Sequence, residues 1–187
     1  MKQIAYYEQE SVYKEKIYPA SDVAQFYQLK EIKQDINVDS IDLHLLNACL
    51  FYATNKVRIM HNVSPLEMDN RLLKAAILHS NQMAIHNFFD HQNPYNTKLK
   101  TLKDRLKICG VDTEKEIGEN CHMELLAITA RTYIDLAQSV IESLYNSMPH
   151  RKNMLRKNFQ FSGVGAAIYK NKNGEVILYV TQDFYRP

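Results

Sequence analysis

The chain has no run approaching the roughly 18 apolar residues that a membrane-spanning helix needs, so no such span is expected. It has no dense block of lysine and arginine, and a formal net charge of only +2, so charge gives no argument for a nucleic-acid partner. Its three cysteines, Cys49, Cys109 and Cys121, are an odd number and form no CxxC pair. That argues against a structural zinc knot and a disulfide-dense scaffold. Cys49 falls on an apolar helical stripe and reads as a buried thiol, while Cys109 and Cys121 are able to pair in an oxidising compartment. Residues 1–20 lack the charged-then-apolar pattern of a secretion signal, so any export signal is expected to be absent from this sequence. Neither G-x-S-x-G nor HExxH occurs, which removes two familiar hydrolase signatures. Tryptophan is absent beside twelve tyrosines, and no mechanism attaches to that.

What is present suits one globular domain with a short extension: 187 residues, 45% hydrophobic and 24% charged. Residues 1–38 are polar, rich in Tyr and Gln and weakly periodic, and read as an extension wrapped on the domain or partly loose; the domain proper spans 39–187. Ser40 is the expected cap of a first helix carrying Leu46, Cys49, Leu50, Ala53 and Val57 and ending near Met60-His61. Ser64-Pro65-Leu66-Glu67 has the form of a second helix start, followed by Leu72, Leu73, Ala76, Ile77, Ser80, Met83 and Ala84 on one face. His79 and His86, seven apart on that helix, invite a metal reading, but partly exposed polar-edge histidines are the plainer one. A loop at 91–96, a short helix over 98–109 closed by Gly110, and a strand from Asn120 to Ile128 follow. A third long helix ends at Met148-Pro149, with one or two further turns over His150–Leu155. Asn171-Lys172-Asn173-Gly174 joins two β-rich runs as a hairpin. Helices first and strands last predict an α+β fold with an antiparallel sheet.

Three distant segments carry the chemistry: Phe89-Asp90-His91, Gly118-Glu119-Asn120, and His150-Arg151-Lys152-Asn153-Met154-Leu155. Two histidines and a carboxylate are the minimum set for holding a divalent cation with a position left open, and they also serve as an acid–base pair. His91 and His150 sit on loop or element-end positions, where binding groups are commonly placed. Glu119 reads as functional, Asn120 as structural, and Ser147 as a polar helix-end residue. Around the Met148-Pro149 turn, Ser147 would have to face His150 to form half of a Ser–His pair. Arg58 and Arg105 are expected to pin loops through carboxylates or carbonyls.

The motifs resemble, in order and spacing, the CAP superfamily of cysteine-rich secretory proteins, antigen 5 and plant pathogenesis-related proteins. The resemblance rests on Asn55-Lys56-Val57-Arg58, Ser64-Pro65-Leu66, Ala76–Ser80 with Met83-Ala84, and Phe88-Phe89-Asp90-His91. It continues through Asp104-Arg105-Leu106, Gly118-Glu119-Asn120, Ser147 with His150-Arg151, Gly163-Val164-Gly165 and Thr181-Gln182-Asp183-Phe184, over about residues 40–185, and is nearest the short bacterial members. The resemblance implies an α-β-α sandwich in which His91, Glu119 and His150 converge in a cleft. In eukaryotic relatives a second Glu lies three positions after a Trp; here those positions are Ser147 and Leu144, so the tetrad lacks one carboxylate. The implied function is a secreted or envelope-located binding module, the periplasm included. Its cleft would take zinc or another divalent metal, or a small or lipid ligand, and its surface a host or envelope protein partner. The competing reading makes the same His91, Glu119 and His150 the catalytic centre of a metal-assisted or acid–base hydrolase.

Overall fold

The computed structural model describes residues 23–126 and 131–187. Residues 1–22 of the expected extension and 127–128 of the expected strand lie outside them. The described part of the extension packs onto the domain. A short helix α1 (Val23–Phe26) and a 3-10 turn at Glu31–Lys33 bring Phe26 and Ile32 to zero exposure. Phe26 stacks on Tyr52 with ring centroids 3.9 Å apart. Burying side chains of this size stabilises by about 1.5–3 kcal/mol each before entropy is counted.

Helix α2 (Leu43–Met60) begins at Asp42 and not at the expected Ser40. Asp42 Oδ1 accepts from the backbone N–H of His44 and of Leu45, both at 3.0 Å, and so satisfies two otherwise free donors of the first turn. The expected second helix start is corrected more strongly. Asn55, buried on α2, accepts from Leu66 N at 2.8 Å and donates to Leu66 O at 2.9 Å. That holds the chain extended, so Glu67–Met68 becomes strand β1, and helix α3 (Asn70–His86) starts only after the Asp69 cap. A long-range side-chain clamp overrides the local helix-start signal. Helix α4 (Leu102–Ile108) follows a 3-10 turn at Thr97–Leu99 and opens with a reciprocal Thr101–Asp104 cap. Helix α5 (Tyr133–Asn146) ends at Ser147, and Pro149 lies in the first turn of α6 (Met148–Met154) instead of closing α5.

Strands β2 (Glu116–Leu126), β3 (Phe161–Lys170) and β4 (Val176–Arg186) pair antiparallel in the order β3-β4-β2, and β1 joins the far side of β3 in parallel. The fold is therefore the expected α+β sandwich, with a short parallel edge added. Alternation along β3 assigns the faces. A Cβ on Gly163 would lie 2.0 Å from Leu73 N, and one on Gly165 2.2 Å from Ile77 N, so α3 rests directly on the strand backbone. The opposite face, carrying Val164, Leu178 and Phe184, packs with Leu46 and Leu50 of α2 and Leu136 and Val140 of α5 into the main core. The β3–β4 hairpin turns as expected: Gly174 takes φ +81°, and Asn171 Oδ1 accepts from the N–H of Asn173 and Glu175.

Candidate functional site

Strand β2 is a sheet edge, and its alternation sends neighbouring residues of the Gly118-Glu119-Asn120 motif to opposite layers. Glu119 pairs with Asp183 and Cys121 with Thr181 on β4, and Thr181 is bonded by Ser80 of α3. Glu119 and Cys121 thus face the α3 layer. Asn120 pairs with Gln182, which donates to Thr54 of α2, so Asn120 faces the other layer.

The Glu119 side chain is 4% exposed and held on both oxygens. Arg105, fully buried, donates to Oε2 at 2.5 Å and also to the carbonyls of Leu99 (3.0 Å) and His91 (3.2 Å). Arg105 therefore ties the His91 loop and the β2 carboxylate together, as its expected loop-pinning role requires. His91 Nδ1 lies 2.9 Å from Glu119 Oε1, while the His91 side chain is 55% exposed. Burial alone would raise the Glu119 pKa, but the His91 hydrogen bond and the Arg105 charge outweigh it and hold the carboxyl below its usual range. The Glu119 hydrogen bond raises His91 in turn.

Two further buried groups adjoin this carboxylate. Asp183 is fully buried, and neither of its carboxyl oxygens meets a protein donor. Burial and the neighbouring Glu119 charge push its pKa well above the aspartate range, which favours the neutral form. His79 has zero exposure, and its Nε2 lies 2.9 Å from the Asp90 carbonyl, an acceptor that requires Nε2 to carry the proton. Its Nδ1 is left without a partner, and burial lowers its pKa to about 4. The expectation of a partly exposed His79 is thus corrected. Of the two, only His86 is exposed, stacked on Tyr95 at 4.6 Å. All three cysteines are free thiols, so the Cys109–Cys121 pairing considered from sequence is not formed: Cys109 packs beside Leu72 and Leu106, Cys121 beside Met83 and Tyr179.

His150, on α6, comes to the same strand from the other layer. Its carbonyl accepts from Asn120 Nδ2 at 3.2 Å, and Asn120 Oδ1 accepts from Asn153 Nδ2 at 2.9 Å. Burial lowers the His150 pKa, and the nearby His91 and His122 rings lower it further. Ser147 sits at the junction of α5 and α6 without a side-chain capping bond. Residues on both sides of His91 in the chain, among them Phe88, Phe89, Asp90, Gln92 and Asn93, line a cavity of about 760 Å³. Among the described residues, the donor atoms that all come within 4.8 Å of one another belong to His79, Glu119 and Cys121, a group that could hold a metal ion; His150 is outside that group.

The profile of the cysteine-rich secretory protein (CAP) family matches residues 51–184. The chain belongs to the CAP family. Two proteins of Bacillus subtilis (strain 168) are similar to this CAP domain: the membrane protein YlbC is 34% identical over 112 residues, and YkwD is 35% identical over 113. Each alignment takes in 60% of this chain, which spans only 29% of YlbC and 38% of YkwD. Among solved structures, an extracellular protein containing a SCP domain from Bacillus anthracis is 31% identical with a TM-score of 0.58, covering 76% of this chain and 40% of that one. An outer surface protein from Borrelia burgdorferi shares the fold at 16% identity and TM-score 0.53, covering 82% of this chain and 97% of that one.

In this CAP domain the structure bonds His91 to Glu119, and brings His150 near through Asn120 and by charge. Sequence reasoning missed Asp183 and His79 as neighbours of Glu119. Cys121 was missed as well, although residues two apart on a strand share a face and that signal was available. Asp183 needed the β2–β4 register, which no local pattern encodes.

Proposed function

We propose that this CAP domain is a binding module acting outside the cytoplasm, whose cleft at His91 and His150 takes a divalent cation such as zinc or a small ligand. One observation carries the reading. The Glu119 carboxylate is turned to Arg105 and His91, so toward the cleft it orients the exposed imidazole and leaves the cleft ligand to His91 and His150. With Nδ1–H turned to Glu119, the Nε2 lone pair of His91 faces outward. A divalent cation there would be held by His91 and His150 and would supply Lewis acidity. Two protein ligands predict weak binding. The loop that carries His91 also lines a cavity through Phe89, Asp90 and Gln92, which gives a small ligand room near that loop, and the extracellular description of the Bacillus anthracis relative supports the location.

The His91–Glu119 pair is also the base-and-orienter half of a hydrolytic triad. Yet Ser147 belongs to a helix junction and Cys121 is 4% exposed, so neither is a presented nucleophile. Binding without robust peptide or ester turnover is the reading adopted. Calorimetric titration with zinc tests it: a weak event is expected in the wild type and lost in His91→Ala and in His150→Ala. An unchanged weak event in both variants would overturn it.

A further inference from the structure

Beneath the exposed cleft lies a second set of donors that the cleft reading does not use. His79 of α3 and Glu119 and Cys121 of β2 place one ligand atom each within 4.8 Å of one another. His79 and Cys121 are 0% and 4% exposed, and the Glu119 side chain is 4% exposed. An imidazole, a carboxylate and a thiolate are a ligand set that suits zinc-class divalent cations and leaves a fourth position for water.

Proximity alone would not make a site; the state of His79 adds an independent observation. Its Nε2–H is donated to the Asp90 carbonyl at 2.9 Å, and its Nδ1 is buried without any partner. A buried acceptor left bare is costly to the fold, so such an atom calls for a partner. A metal-ligating histidine shows this same arrangement, with the far ring nitrogen fixed on a backbone carbonyl and the near one free to coordinate. The surroundings supply the rest of a second shell. Arg105 holds Glu119 Oε2 at 2.5 Å, and His91 Nδ1 lies 2.9 Å from Glu119 Oε1 and 3.6 Å from Cys121 Sγ. Each carboxylate oxygen keeps a second lone pair, so both contacts are compatible with coordination.

We infer that His79 Nδ1, a Glu119 oxygen and Cys121 Sγ form an interior binding site for a thiolate-preferring divalent cation, distinct from the exposed His91–His150 cleft. Binding forms the sulfur–metal bond and breaks the S–H bond, and the thiol proton leaves to solvent, so each cation taken up releases one proton. The site stands independently of the cleft reading, sharing only Glu119 and the neighbouring His91 with it.

Cobalt(II) is the probe, because a thiolate ligand gives a near-ultraviolet charge-transfer band that imidazole and carboxylate do not. Anaerobic titration of the wild-type chain is expected to give this band at one cobalt per chain, with one proton released in weak buffer. Cys121→Ser removes the band, while Cys49→Ser and Cys109→Ser keep it. His79→Gln weakens cobalt binding at least tenfold, and His150→Ala leaves the band in place. Far-ultraviolet circular dichroism checks that each variant is folded. A wild type without the band or the proton release overturns the interior site and leaves the cleft reading standing, whatever the variants do. A band that survives Cys121→Ser overturns it equally. Loss of the weak zinc event alone, with the cobalt band intact, counts against the cleft and not against this site.

Discussion

Glu119 and Asp183 stand opposite each other on β2 and β4, two buried carboxyls in the field of the Arg105 guanidinium. One ionises and the other keeps its proton, because burial and mutual repulsion disfavour two charges there. The folded Asp183 pKa lies well above that of an unfolded aspartate. Its contribution to stability is therefore present below the unfolded value and shrinks as pH rises toward the folded one. Asp183→Asn keeps the size of the side chain and removes its titration. Urea unfolding at pH 5 and pH 8 is expected to show the variant gaining on the wild type at the higher pH. A gap that stays constant between the two would show that Asp183 is ionised in the fold.

Arg105 is the buried counter-charge for Glu119 and also the tether for three loop carbonyls. Arg105→Ala leaves a buried carboxylate unpaired, a class of change that costs about 3–5 kcal/mol. Arg105→Lys is expected to recover only part of this, since an ammonium cannot span the same fork of acceptors. Thermal unfolding of the two variants checks it, and full recovery by lysine would refute the fork.

His79 gives the fold an acid sensitivity of its own. It is neutral when folded, with a pKa lowered to about 4 from 6.5. As pH falls through that window the unfolded chain takes up the proton first, so stability drops, by about 3 kcal/mol in total at 1.36 kcal/mol per unit. His79→Gln is expected to flatten stability between pH 6.5 and 4. Denaturant midpoints across that range decide it, and parallel curves for the two proteins would exclude His79 as the titrating group.

The α+β class with its antiparallel hairpin was legible because hydrophobic periodicity and the Asn173-Gly174 turn are local signals that the tertiary structure obeys. The layering into a sandwich was implied only by the family resemblance. The start of α3 was not legible, because Asn55 captures the backbone of Leu66 from another element, and no pattern within 64–67 announces that clamp. The site divides the same way. His91, Glu119 and His150 stood out by motif, while the buried partners of Glu119 depend on strand register and helix rotation. His79 shows the difference: its spacing to His86 invited a metal reading, with partly exposed histidines as the plainer one, but the packing of α3 on Gly163 and Gly165 leaves it fully buried.

Asn120 and Ser147, neighbours of the cleft, are expected to separate cleanly. Asn120 bonds His150 O, Gln182 Oε1 and Asn153 Nδ2 from a fully buried position. Asn120→Ala strands several buried partners and should cost about 2–4 kcal/mol. Ser147→Ala removes no capping bond and should leave the melting temperature and zinc binding near wild type. A large loss on Ser147→Ala would restore the Ser–His alternative.

The central claim is that Glu119 fixes the His91 ring so that Nε2 faces the cleft. Long-range proton–nitrogen NMR spectra of histidine-labelled protein, recorded above the His91 pKa, read this directly from the ring tautomer. The account predicts the Nδ1–H tautomer for His91 in the wild type, relaxing toward the mixture of free histidine in Glu119→Ala. An Nε2–H tautomer in the wild type, or no change on Glu119→Ala, would contradict it.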